Sequence, residues 1–273
     1  RQRQMCIRDR YLPCCACQVQ AAIGAVNALA FDVNAACSGF LFALNTADVY
    51  LRTGLAKNAL VIGSEVLSKL VDWTDRGSCI LFGDGAGAVV VEQCRTESRA
   101  VEYGNALAET EEKRIPEAGI LGRSLHSDGT GGGVLQCGAR ELATPYAGTS
   151  AAKTDGRENF IQMDGQEVYR FATRRVPQCI EEALSDAGLT VADIDLFVLH
   201  QANVRIIDAV AKRLHADREK FPTNLERVGN LSSASIPVLL DELNRQEKLH
   251  RGDRIVLAGF GAGLTIGACV MTW

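Results

Sequence analysis

The sequence predicts a layered α/β fold built from two similar halves. Three observations carry that expectation. Short apolar runs alternate with amphipathic helical segments through most of the 273 residues. The run Gly85-Ala86-Gly87 leads into an apolar strand, and so does Gly261-Ala262-Gly263. Upstream of each lies a helix, starting at Cys37 in the first case and near Ser233 in the second. A duplicated unit of this kind places its loops around one shared cleft.

The elements follow in order. Gln18 to Gly24 reads as a helix, Leu29 to Val33 as a strand and Ser38 to Thr53 as a helix. In that helix Phe40, Leu41, Leu44, Ala47, Val49 and Tyr50 recur close to the 3.6-residue period. Ala59 to Gly63, Cys79 to Phe82 and Ala86 to Glu92 are apolar strands. Residues 104–164 are rich in Gly, Thr and Ser with weak periodicity, and read as a long excursion with little regular structure. Gln166 to Ala187 is a long helix with Pro177 as a bending point. Asp195 to Leu199, Arg254 to Gly259 and Thr265 to Thr272 are strands, and Val204 to Leu214 and Ser233 to Arg245 are helices. The expected organisation is a leader unrelated to the fold over 1–10, a first half over 11–103, a connecting and substrate-covering region over 104–164, and a second half over 165–273. The opening RQRQMCIRDR holds four arginines and no apolar period, and the fold is entered in mid-element after it, as in an N-terminally truncated chain.

Composition narrows the function. Hydrophobic residues make up 47% and aromatic residues 6%, so the core is aliphatic. A net charge of -4 gives no general attraction to nucleic acid or to an anionic membrane. No apolar stretch reaches the length of a membrane span. The ten cysteines are scattered through apolar segments such as those of Cys79, Cys94, Cys179 and Cys269. That pattern suits reduced thiols in the cytoplasm and not a disulfide framework. Cys14 and Cys17 form a lone CxxC without further ligands, which favours small-residue packing at a helix start over a metal site. GDGAG does not open a helix, so it is not a dinucleotide fingerprint.

Three polar positions stand out. Cys37 lies between a predicted strand and a predicted helix in FDVNAACSGFLFAL. A thiol at a helix start meets unpaired N–H groups and the positive end of the dipole, which lowers its pKa from about 8.5. The plainer reading of a cysteine is a small buried hydrophobe. His200 follows an apolar strand in LFVLHQANVRII, at the carboxyl end where ligands of α/β sheets bind; a lone histidine is more often structural. Asn230 sits in VGNLSSASIP just before a helix, where an N-cap is the plainer role. Together a thiol, an imidazole and a carboxamide make a coherent set for thioester chemistry.

The runs AACSGF, HQANVRI and GNLSSAS resemble the three signature motifs of the β-ketoacyl-acyl-carrier-protein synthase III family of condensing enzymes. The resemblance runs from about Leu12 to Trp273 and includes TDRGSCILFGDGAGA, LHSDGTGGG and IQMDGQEVYRFA. It implies a thiolase-like fold of two pseudo-repeated α/β halves, the first incomplete here because the family's opening strand–helix units precede the match. It implies decarboxylative condensation of an acyl-CoA primer with malonyl-acyl-carrier protein, without a cofactor, in a homodimer. Cys37, His200 and Asn230 are then catalytic, and the amides of Cys37 and Ala262 form an oxyanion hole. Arg76, Met163, Gly165, Ala202, Asn203 and Phe260 match substrate-binding positions, with Gln166 in place of a common Asn. Leu67, Ile80, Leu81 and Phe82 match the acyl pocket. Arg205, Lys212 and Arg213, joined by Arg170, resemble a basic face that docks the acidic carrier. Leu12 matches a position that reaches into the partner subunit's pocket. Related condensing enzymes of polyketide or alkyl-quinolone type stay open at this point. So does a non-catalytic partner subunit, against which the intact Cys37, His200 and Asn230 argue.

Overall fold

A computed structural model describes residues 13–93, 119–138 and 159–273. Its helices are α1 (Cys15–Ala22), α2 (Gly39–Arg52), α3 (Gly165–Ala187), α4 (Val204–Arg213), α5 (Leu225–Val228) and α6 (Ser235–Arg245). Its strands are β1 (Asn58–Val66), β2 (Asp84–Glu92), β3 (Gly119–Ser127), β4 (Leu135–Cys137), β5 (Ile161–Met163), β6 (Leu196–Leu199), β7 (Arg254–Gly261) and β8 (Thr265–Thr272). The leader expected over 1–10, Leu12 and Cys94 lie outside the described residues.

The main sheet has the order β3-β8-β7-β6. β6 pairs parallel with β7, and β8 pairs antiparallel with both β7 and β3. Alternation along β7 sends its side chains to opposite faces. Val256, Ala258 and Phe260 pack with α3 and α4, whereas Ile255 and Leu257 pack with α2 and α6. On the first face Phe197 and Phe221 stack with ring centroids 4.5 Å apart. On the second, α2 and α6 also carry the β1–β2 hairpin, where Val61, Val89 and Val91 join the same cluster. Helices, sheet, helices and hairpin therefore form successive layers, with α2 and α6 in the middle.

The repeat expected from the two Gly-Ala-Gly runs takes a definite form. A 3₁₀ turn at Ala36–Ser38 leads into α2, and another at Ser232–Ala234 leads into α6. Ala36 and Ser232, matching positions of the two turns, adopt left-handed φ values of 47° and 49°. Each turn packs on a glycine of the other half's strand. A Cβ at Gly261 would sit 2.6 Å from the Cys37 amide nitrogen, and one at Gly63 would sit 2.4 Å from the Ser233 carbonyl oxygen. Glycine is required at both places because backbone meets backbone.

Three expectations are corrected. Leu29 to Val33 forms no strand, because no neighbouring strand among the described residues pairs with it. Cys79 to Phe82 is a series of turns and not a strand. The Asp75 carboxylate accepts from the Gly77 amide at 2.9 Å and the Ser78 hydroxyl at 2.6 Å, winding the chain before the apolar run begins. Residues 104–164 are less irregular than their composition suggests: β3 is a nine-residue edge strand of the main sheet, and β4 and β5 form a small hairpin. β3 hides its strand character behind Gly119, Gly122, Arg123 and His126 because only one of its edges is paired.

Smaller shifts have simple causes. α1 starts three residues before the expected Gln18, at Cys15, because the Asp32 carboxylate accepts from the Cys15 and Ala16 amides at 2.9 and 2.8 Å. The CxxC is thus the start of a helix, with Cys14 and Cys17 sulfurs 3.1 Å apart. α3 runs through Pro177 as one helix. Among the described residues no helix is long and apolar enough to cross a membrane.

Replacing Gly63 by Ala should destabilise the protein by about 1–3 kcal/mol, since backbone must move to admit the methyl group. Gly129→Ala, with open space around its Cα, should change stability by less than about 0.5 kcal/mol. Urea unfolding of both variants measures the contrast.

Candidate active site

The end of β7 holds two of the polar positions singled out in the sequence, Cys37 and His200. Gly261 packs against the Cys37 amide. The Phe260 ring meets the His200 ring edge-on, with centroids 5.5 Å apart. The His200 amide donates to Ala258 O at 2.8 Å, and the side chain stands beside Gly259, where a Cβ would be 3.3 Å from His200 Cβ. Asn230 enters from the facing loop. Its amide donates to Leu81 O at 2.8 Å and its carbonyl accepts from the Gly83 amide at 2.9 Å, forming a single bridge with Phe82. Its side-chain Oδ1 accepts from the Ser232 amide at 2.8 Å. That bond fixes which way the carboxamide points and turns its Nδ2 donors away from the turn.

Burial decides the protonation states. Cys37 is 9% exposed. Removal from water pushes its thiol up to about 11; the Ser232 hydroxyl pulls the other way and the Glu65 carboxylate adds to the rise. This overturns the lowered pKa expected from the helix start. Cys37 lies in the 3₁₀ turn, two residues before α2 begins at Gly39. A helix terminus contributes about 0.3–1 kcal/mol in common settings. A rise from 9.0 to about 11 corresponds to roughly 3 kcal/mol, so desolvation wins. His200 is 3% exposed, and burial lowers it to about 4. At neutral pH it is an uncharged imidazole, and its Nδ1 has no hydrogen-bond partner among the described residues. A neutral imidazole and a fixed carboxamide can donate to a developing oxyanion; a thiol can attack a carbonyl carbon once its proton has a destination.

The other expected residues divide. Leu67 is buried just after β1, and Leu81 and Phe82 are half-buried beside Asn230. Ile80, by contrast, is 76% exposed. Met163 ends β5 and packs with Ala202 on the first core cluster. Gly165 opens α3 behind Asp164, whose carboxylate caps the Gln166 and Glu167 amides, both at 3.0 Å. Asn203 is the N-cap of α4 and accepts from the Arg205 amide at 2.9 Å. Ala262 follows directly on Gly261, and its carbonyl accepts from the Thr265 hydroxyl at 3.1 Å. Arg76 is exposed on the turn that follows Asp72.

The basic face is partly spent within the fold. Arg205 and Lys212 are exposed and make no ion pair among the described residues. Arg213 donates to Thr173 O at 2.9 Å, and Arg170 pairs with Glu167. Two residues were missed in the sequence. Ser233 donates its hydroxyl to Glu65 Oε1 at 2.5 Å, and Glu65 is buried near the end of β1. The signal for Glu65 was a carboxylate in the apolar run NALVIGSEV. No group of His, Cys, Asp and Glu among the described residues is disposed to hold a metal ion.

Layers with α2 and α6 at their centre, and a cysteine at the crossing, define a thiolase-like condensing-enzyme fold. Family models agree along the chain. The 3-oxoacyl-[acyl-carrier-protein (ACP)] synthase III model matches residues 31–106, and the model of its C-terminal part matches residues 184–273. The β-ketoacyl-[acyl-carrier-protein] synthase III of Clostridium novyi is 44% identical over 268 residues, covering 98% of this chain and 75% of the relative. The 3-oxoacyl-[acyl-carrier-protein] synthase III of Aquifex aeolicus superimposes with a TM-score of 0.80 at 38% identity, over 97% of this chain and 73% of that one. The Thermus thermophilus enzyme gives 0.82 at 38% identity, over 97% and 74%. The chain belongs to the β-ketoacyl-acyl-carrier-protein synthase III family.

The buried His200 has a measurable consequence. The unfolded histidine takes a proton near pH 6.5, the folded one only near pH 4. Stability is therefore complete above about pH 6.5 and is lost as pH falls toward 4, by roughly 3 kcal/mol at the lower end. His200→Gln should lose correspondingly less between neutral pH and about pH 4.5, as read by urea unfolding at both values.

Proposed function

We propose that the chain condenses an acyl-CoA primer with malonyl-acyl-carrier protein, losing carbon dioxide and giving 3-ketoacyl-acyl-carrier protein, the initiating step of fatty-acid synthesis. The observation that supports this reading is a buried thiol and a neutral imidazole beside Gly259, Phe260 and Gly261 of β7, with an oriented carboxamide in the loop that leads to α6. In this reading Cys37 attacks the primer thioester, its S–H proton goes to the departing CoA sulfur so that CoA leaves as the thiol, and the acyl group stays on Cys37 sulfur. The amides of Cys37 and Ala262 hold the oxyanion. Malonyl-acyl-carrier protein then loses carbon dioxide, and the electrons of the broken bond pass into an enolate. His200 and Asn230 donate to the enolate oxygen. A neutral imidazole suits that role, since it donates a hydrogen bond without giving up a proton to the carbanion. The enolate carbon attacks the acyl-cysteine and Cys37 leaves as thiolate.

The remaining assignments support the same reaction. Phe260 packs the His200 ring, and Leu67, Leu81 and Phe82 line the acyl side near Asn230. Arg76, Met163, Gly165, Ala202 and Asn203 contact the CoA or pantetheine arm. No cofactor takes part, and the enzyme acts as a cytoplasmic homodimer. Carrier docking falls to Arg205 and Lys212, which make no ion pair among the described residues, with Arg213 and Arg170 at the border.

Incubation with acyl-CoA and peptide mass mapping tests the chemistry. Label should appear on Cys37 and vanish in Cys37→Ala. His200→Ala and Asn230→Ala should keep the label yet slow malonyl decarboxylation by roughly 100-fold each, the scale of one lost oxyanion donor. Label on another cysteine, or loss of label in the His200 or Asn230 variants, would overturn the assignment.

The docking face has its own test. Arg205, Lys212 and Arg213 lie at i, i+7 and i+8 on one side of α4. Arg205→Glu should raise KM severalfold for malonyl-acyl-carrier protein and leave that for acyl-CoA nearly unchanged. The effect should shrink with added salt, because the Debye length is about 10 Å at 0.1 M.

A further inference from the structure

The CxxC at the start of α1 takes no part in the reaction above. Cys14 is the N-cap, with extended backbone at φ -63° and ψ 149°, and Cys17 follows in the first turn. No cysteine side chain caps this helix. The Asp32 carboxylate does so, accepting from the Cys15 and Ala16 amides at 2.9 and 2.8 Å. The two sulfurs are therefore left to each other. Residues three apart on a helix are neighbours on one face, whereas Cys15, one residue on from Cys14, falls to another side. The Cys14 and Cys17 sulfurs are 3.1 Å apart. The Cys17 thiol also donates to Ala30 O at 3.5 Å.

The pair is open to solvent. Cys17 is exposed and Cys14 is half-buried, whereas Cys37, Cys179 and Cys269 are buried. Cys137 is exposed as well, but its thiol meets the Asn159 carbonyl at 3.7 Å. Metal ligation does not account for the pair, because no group of His, Cys, Asp and Glu among the described residues is disposed to hold an ion. A disulfide bond is about 2.05 Å long, so closing the contact takes about 1 Å of movement, within reach of side-chain rotation. The contact with Cys14 raises the Cys17 thiol above its ordinary value, and the Asp32 carboxylate adds to the rise. A dithiol whose thiolate is not stabilised has little to oppose its oxidation.

We infer that Cys14 and Cys17 form a redox-active dithiol that a small-molecule disulfide oxidises to a reversible bridge. Cys17, the more accessible thiol, loses its proton to solvent, and its thiolate attacks one sulfur of the small disulfide. That S–S bond breaks, and one small thiolate leaves and takes up a proton. Cys14 then loses its proton and attacks the Cys17 sulfur, expelling the second small thiol. Two S–H groups are oxidised to one S–S bond, and one small disulfide is reduced to two thiols. An excess of small thiol runs both steps backwards. In a reducing compartment the bridge is transient. The inference does not depend on Cys37 as a nucleophile.

The test is exposure of the whole protein to glutathione disulfide, then alkylation of the remaining thiols in denaturant and peptide mass mapping. The peptide that carries residues 14–17 should lose two alkylatable thiols and hold no glutathione, and dithiothreitol should restore both thiols. Cys14→Ser should stop with one glutathione on Cys17; serine is itself a strong N-cap, so this variant keeps the helix start. Cys17→Ser should form no bridge. Cys15→Ser should close the bridge as the wild type does, which separates the assigned pair from one that uses Cys15. A wild type that keeps both thiols, a lasting glutathione adduct in place of the bridge, or a bridge to any other cysteine overturns the inference. So does a bridge that persists in Cys14→Ser or Cys17→Ser, or one that vanishes in Cys15→Ser.

Discussion

The rest of the structure depends on two backbone contacts through glycine. Gly261 lets the turn before α2 approach β7, and Gly63 lets the turn before α6 approach β1. Each half thus supports the helix start of the other. A side chain at either glycine would push a helix start outward by more than the packed interior can absorb. The left-handed Ala36 and Ser232 follow from the same constraint, because the chain must turn sharply to bring an amide or carbonyl against the glycine. Cys37 and Ser233 occupy matching places in the two turns. One became the thiol of the site, and the other became an anchor for Glu65.

Desolvation then sets the chemistry. The same burial that stacks α2 and α6 between two sheets removes water from Cys37, His200 and Glu65. Each group shifts toward its neutral form: the thiol and the carboxyl upward, the imidazole downward. A helix end is too weak to reverse this. A nucleophile in such a place needs a local proton acceptor, and an oxyanion there needs donors that are already oriented. The turn at Ser232–Ala234 supplies orientation: the Ser232 amide holds the Asn230 carboxamide and the Ser233 hydroxyl anchors the Glu65 carboxyl.

Elements with an unambiguous period were legible in the sequence. α2, α3, α4 and α6 carry one apolar face each, and β6, β7 and β8 are apolar throughout because helices cover both sides of their sheet. Where a period depended on neighbours, it misled. Leu29 to Val33 has the composition of a strand and no strand beside it. Cys79 to Phe82 is apolar but wound into turns by Asp75. β3 looks like loop because glycines and charges suit an edge.

Cys37, His200 and Asn230 were visible as short motifs at element boundaries, and the repeated Gly-Ala-Gly runs announced the duplication. The sequence by itself therefore determined the family and the layered α/β class, and it marked three polar residues as candidates for the site. Only the tertiary structure decided their protonation states, since those follow from how much water the packed layers exclude. It alone placed Ser233 against Glu65, residues far apart in the chain. Local sequence sets backbone preference and periodicity, but desolvation and contact between distant residues exist only once the two halves have closed on each other.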